Sequence, residues 1–353
     1  MMSNPFQCFR FLALLLIAAT GFGCNIVKNK SKTPTLLKNE LASKADLINE
    51  VNRFASINSL RAKMDLKFED NSFAQFGSKE VYRSADGDMV VQRPASIFLK
   101  VQVPFFKTDV AQMTSDGEKF RVAVLTDGGS GKFKRFILGT NSADYTRLQR
   151  NLDSPESDQS VRKNVNAFSN LRPQHFTDAL LVRPTSNGYT YVTSTIFQTE
   201  EDTAQPKKSP LRTVLRGYYL LDEYEPGTGG ELHLLRRFWF DRVGGIRLAR
   251  QQLFGKDNEI ESDILYGRPG NLSDSAEFRN LPLRIQVTRI KEKYTMSLTY
   301  QVPENVKIGE TYPVDAFVLQ NTWKLEELDL DAKLREVLAQ QKGSEQSALN
   351  RVQ

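Results

Sequence analysis

The chain has 353 residues, 40% hydrophobic and 25% charged, with a formal net charge of +6. These are values of a globular protein with a real core, and they exclude collagen, a polytopic membrane protein and a wholly disordered chain. Its only cysteines are Cys8 and Cys24 and its only histidines His175 and His233. The body of the chain therefore offers no four-ligand zinc site, no thiol nucleophile and no disulfide framework.

Arg10 precedes the apolar run Phe11–Ala19, which Thr20-Gly21-Phe22-Gly23-Cys24 follows. A basic start, an apolar stretch of about 7–15 residues and small residues at its end describe a secretory signal over 1–23. The run is too short to span a membrane, which takes about 20 apolar residues. Cys24 sits where a bacterial lipoprotein signal is cut, although Gly21 stands where such signals usually carry leucine. The residues thus predict lipidation at Cys24, the alternative being a plain secretory signal with an incidental cysteine. A diacylglyceryl group plus an N-acyl chain anchors firmly, where one chain would hold marginally. Asn25 in place of a retention aspartate points to the outer membrane, with the body facing the periplasm.

The polar, basic stretch 25–42 reads as a tether. Ser43 is a candidate N-cap for an amphipathic helix to Ser56, with Asp46 in its first turn and Leu47, Ile48, Val51, Phe54 and Ala55 on one face. From Leu60 the period becomes two: Leu60, Ala62, Met64, Leu66 and Phe68 alternate with charged residues. The same pattern marks strands at Ile97–Val103, Phe120–Val124, Tyr189–Phe197, Leu211–Leu221, Leu234–Asp241, Ile246–Phe254, Ile260–Tyr266, Leu283–Ile290 and Tyr294–Val302. Asp86-Gly87-Asp88, Ser115-Asp116-Gly117 and Asn187-Gly188 read as turns. With no helices alternating between them, about ten such strands predict a mainly β, α+β fold built on a strongly curved, incomplete antiparallel barrel.

Residues 150–182 break the alternation and contain a helix at Pro173–Leu181. They are either a lid across the sheet or a plain connector. Lys324–Gln341 carries a partial apolar stripe, so 321–353 is assigned to a C-terminal helix and tail, and 43–320 to one domain.

Chemical motifs are absent from the sequence: no phosphate-binding loop, dinucleotide fingerprint, HExxH or GxSxG occurs in a supporting context. Asp127-Gly128-Gly129-Ser130-Gly131 reads as a hairpin loop. His175 and His233 read as surface or partly buried polar residues, not catalytic bases. Arg61, Lys63, Lys67, Arg236 and Arg237 are spread among acids, with no nucleic-acid signature. No catalytic residue, metal or cofactor is assigned, and the chain is not expected to be an enzyme; a secreted hydrolase is the weakest alternative.

The stretches LINEVNRFASINSLRAKMDL and VQRPASIFLKVQVPFFKTDVAQMTSDGEKFRVAV are similar in order to LolA/LolB-type lipoprotein carriers and their uncharacterised lipid-anchored relatives. The matching elements are Arg93-Pro94, Pro104-Phe105-Phe106, Ser115-Asp116-Gly117 and the hairpin Phe238–Leu248. This resemblance, spread over roughly 43–320, implies a bent half-barrel with a helical lid around an apolar cavity for acyl chains. Its lining would include Met64, Leu66, Phe68, Ile97, Leu99, Val101, Val122 and Val124, unless those residues simply fill a core. Phe105 and Phe106 form a membrane- or cargo-facing loop or else a buried turn. The implied partners are acyl lipid or lipoprotein acyl chains and the outer membrane. The alternative is a structural or sensory envelope lipoprotein that binds a protein.

Overall fold

A computed structural model of the chain describes residues 33–70, 80–104, 106–126, 134–145, 148 and 172–340. The signal, Cys24, Phe105, the 127–131 loop, the stretch 151–171 and the tail after 340 lie outside the described residues. Contacts divide the chain into a small unit, Met1–Leu37 with Thr199–Leu215, and a large one, Lys38–Gln198 with Arg216–Gln353. In the small unit, β1 (Thr35–Leu36) runs parallel to the first residues of β9 (Thr213–Pro226), with Thr35 opposite Val214. A 3-10 turn, Pro210–Arg212, leads into β9, capped by the Ser209 side chain.

The large unit opens with helix α1 (Lys44–Ala55), started by a capping box: Ser43 Oγ accepts from Asp46 N, and Asp46 accepts from Ser43 N at 2.8 Å. The strands follow as β2 (Ser59–Asp70), β3 (Glu80–Gln92), β4 (Ser96–Gln102), β5 (Asp109–Ser115), β6 (Lys119–Val124) and β7 (Arg135–Thr140). Helix α2 (Pro173–Leu180) carries proline in its first turn, where the missing N–H has no helical acceptor to lose. Beyond it come β8 (Thr190–Glu201), β9, β10 (Leu232–Asp241), β11 (Arg247–Phe254), β12 (Ile260–Gly270), β13 (Leu281–Arg289) and β14 (Tyr294–Tyr300). Short β15 (Lys307–Ile308), β16 (Glu327–Asp329) and helix α3 over 330–340 complete the described chain.

Strand order runs β9-β10-β11-β12-β13-β14-β2-β3-β4-β5-β6-β7-β16, antiparallel except for the β16–β7 pair, and does not return to its start. The sheet is open. It is also strongly curved, because α2 touches β13 and also β4 and β5. Five strand spacings separate β13 from β5 in this order, or about 24 Å if flat, roughly twice the diameter of a helix. The sheet must wrap around α2 for both contacts to exist.

The concave face holds one core cluster, closed by Leu47, Val51 and Phe54 of α1 and Phe176, Ala179 and Leu180 of α2. The opposite face of β3–β7 is covered as well. Val90, Thr114, Ala123 and Phe136 occupy the alternate positions of their strands and are buried. The chain after β15 passes over them: the 3-10 turn Val314–Phe317 packs on β4, and Leu319 N donates to Thr114 Oγ1 at 3.0 Å.

The described residues contain sixteen strands in place of the ten expected. The ten expected segments are all strands; β1, β3, β5, β7, β15 and β16 are additional. Asp86-Gly87-Asp88 is no turn but the middle of β3, opposite Asp65, Met64 and Lys63 of β2. A Cβ there would stand 2.8 Å from Leu66 Cδ1, so the Leu66 side chain would have to shift. The expected helix from Lys324 begins instead at 330, since Glu327–Asp329 pairs with β7 first.

Candidate functional site

Side chains on the concave face line up across strands, because antiparallel register places partners on the same side. Ala62, Met89, Leu99, Met113, Val122, Ile137 and Leu328 form one unbroken buried row over seven strands, β2 to β7 and β16. Of the eight residues singled out from sequence as a lining, Met64, Ile97, Leu99, Val122 and Val124 are buried in the core cluster, and Leu66, Phe68 and Val101 pack against it half-buried. The structure brings all eight together with the apolar faces of α1 and α2.

Two polar anchors hold the helices in place. Arg93, in the β3–β4 turn, donates through Nε to Ile57 O at 3.0 Å and through Nη2 to Val182 O at 2.7 Å, tying the end of α1 to the end of α2. His175 of α2 is buried and hydrogen-bonds through Nδ1 to the Tyr294 hydroxyl of β14. Burial, with Arg289 and Arg172 nearby, holds its imidazole well below the ordinary 6.5, so it is neutral at pH 7. His233, by contrast, is half exposed beside Glu231.

The β9–β14 half of the concave face is not purely apolar. Arg236 of β10 and Glu223 of β9, each 1% exposed, form a two-pronged ion pair at 2.5 and 2.6 Å. Arg236 also donates to the carbonyls of Arg183 and Pro184, and Tyr191 O–H to Glu223 Oε2 at 2.7 Å. Burial and the Glu223 carboxylate push the Tyr191 hydroxyl up to about 12. Arg236, one of the basic residues spread among acids in the sequence, is therefore buried. Its even spacing from Phe238 and Phe240, two and four residues on, is the available signal.

Gln251 of β11 lies between Phe238 and Ile264 in register and is 2% exposed, and its Oε1 has no hydrogen-bond partner. An orphaned buried acceptor of this kind costs about 1–3 kcal/mol. Ser262, also buried, occupies the next inward position of β12, opposite Leu253. Asp178 of α2 keeps part of its surface exposed, but burial still raises its carboxyl, against the pull of Arg183, Arg289 and Arg236. A small polar island thus sits inside an apolar face.

Elsewhere, a recess of about 350 Å³ is lined by Asn271, Ser273, Asp274, Ser275, Arg279 and Glu304. A second, of about 240 Å³, lies by Arg61, Lys63, Asp88 and Lys307. None of the eight sequence-derived lining residues borders either recess. Phe106 stands 83% exposed in the β4–β5 turn.

No family model matches the sequence, and no curated protein sequence matches it. Solved structures do match. A LolA superfamily protein from Nitrosomonas europaea is 11% identical, with 79% of this chain and 99% of that one covered and a TM-score of 0.40. A DUF1329 family protein from Desulfovibrio piger is 9% identical over 77% and 94%, with a TM-score of 0.41. A putative outer membrane lipoprotein-sorting protein domain from Vibrio parahaemolyticus is 7% identical over 77% and 95%, with a TM-score of 0.37.

Proposed function

We propose that this is a lipid-anchored envelope protein that holds acyl chains of a lipid or lipoprotein against the concave face of its sheet, for trafficking at the outer membrane. One observation carries the reading: the unbroken apolar row from Ala62 to Leu328 is closed by short amphipathic helices. Helix α2 has eight residues, too few to be stable except by docking, since isolated helices below about 12–15 residues are marginal in water. A hydrocarbon chain entering beneath it exchanges one apolar surface for another, at about 0.8 kcal/mol per methylene buried. Such an exchange needs no covalent step, so no catalytic residue is assigned.

Lipidated Cys24 supplies the anchor in this reading, and exposed Phe106 faces membrane or cargo. Native mass spectrometry of protein extracted gently from membranes should find about one acyl lipid per chain; protein that is lipid-free and shows no saturable uptake of a fluorescent fatty acid would defeat the proposal. Cys24→Ser should move the protein from the membrane to the soluble fraction, and retention would remove the anchor. A second reading, a scaffold for a protein partner, is favoured by β8, which leaves Val192 and Phe197 each 48% exposed. A single stoichiometric partner recovered with lipid-free protein would support it.

A further inference from the structure

The acyl-chain reading leaves one inward side chain unexplained. Gln251 places a carboxamide in a row where its neighbours in register are Phe238 and Ile264, both completely buried, and its Oε1 meets no donor. An aliphatic residue there would have continued the apolar row at no cost in hydrogen bonding. The surrounding polar groups do not relieve it. The Arg236 guanidinium is committed to Glu223 and to the carbonyls of Arg183 and Pro184. Arg289 is committed to Glu292. Asp178 donates nothing to Gln251 Oε1 either, which has no partner.

We propose that Gln251, with Ser262 on the adjoining strand, is a subsite for the amide linkage of an N-acyl chain, the ligand N–H donating to Gln251 Oε1. This deepens the acyl-binding proposal and rests on it. The elimination is chemical. Esters and thioesters join acyl chains without any hydrogen-bond donor, so they would leave the buried acceptor orphaned. A free fatty acid donates only when protonated and loses its donor on ionisation, whereas an amide donates at every pH. Only the amide is neutral, carries an N–H and also presents a carbonyl, which the Ser262 hydroxyl can meet. Sites built to hydrogen-bond a ligand N–H or O–H discriminate strongly against the isostere that lacks it.

N-methyl lauramide and methyl laurate test this, because they differ only by NH against O. Measured by displacement of a bound fluorescent fatty acid from the full mature protein, the amide should bind about tenfold tighter than the ester. Gln251→Leu should bind both alike without loss of thermal stability, and Gln251→Met serves if the leucine variant fails to fold. Equal affinity of the natural chain for amide and ester, or a tenfold preference that survives in both variants, would overturn the subsite while leaving acyl binding intact. Failure of both compounds to bind would remove the acyl reading itself and the subsite with it. An N-lauroyl tripeptide that binds tighter than N-methyl lauramide assigns the linkage to an acylated polypeptide; equal binding assigns it to a lipid.

Discussion

Arg236 and Glu223 show how much one buried pair commits. Their charges are 1% exposed and fully hydrogen-bonded to each other and to neighbouring backbone, so removing one partner strands the other in a low-dielectric interior. Arg236→Ala should lower unfolding free energy by about 3–5 kcal/mol, while replacing both residues by apolar ones of similar volume should recover most of it; urea melts of the three proteins check this. His175 gives a pH signature. Its folded-state pKa lies well below the ordinary 6.5 because of burial and the nearby Arg289 and Arg172. Below about pH 6.5 the unfolded chain therefore binds the extra proton and the folded one does not. The contribution is fully present above that pH and is lost as pH falls toward the depressed value, with a slope of up to about 1.4 kcal/mol per pH unit. His175→Asn should flatten stability between pH 6.5 and 5 relative to the natural chain; parallel curves would contradict it. Residue type alone concealed both groups. Charge says nothing of where Arg236 lies; its position on the same side of β10 as Phe238 and Phe240 indicates burial.

At the level of elements, periodicity was legible wherever one face is apolar and the other charged. It found α1 with its cap, and β2, β4, β6 and β8–β14. The strands it missed lack that contrast: β5 reads Asp-Val-Ala-Gln-Met-Thr-Ser, and β3 contains Asp86-Gly87-Asp88. In β3 the glycine answers to a neighbour, Leu66, whose approach cannot be inferred from local sequence. Gly87→Ala should therefore destabilise the protein by about 1–3 kcal/mol through overpacking. Arg93 is the other element-scale test. It bonds the chain at the ends of both covering helices, at Ile57 O and Val182 O. Arg93→Ala should speed amide hydrogen exchange in 173–182 more than in the β10–β13 strands, and uniform change across all of them would argue against a local clasp.

For the whole molecule, alternation in β4 and β6 predicts one wet face, yet irregular chain after β15 covers that side of β3–β7. Phe317, 1% exposed, is the anchor of that cover, and nothing in the period of Pro303–Glu326 announces it. Phe317→Ala should cost about 3–5 kcal/mol, read from the thermal or urea midpoint. The candidate lining was legible as an apolar face, while the polar island around Gln251 was not, because it assembles from β10, β11, β12 and α2. The central claim is that acyl chains lie between the concave sheet and its helices. Photo-crosslinking with a diazirine-bearing fatty acid, followed by peptide mapping, tests it most directly. Labels should fall on peptides containing Met89, Leu99, Met113 and Val122 and on α2; labelling confined to exposed segments such as β8, or no saturable labelling, would contradict it.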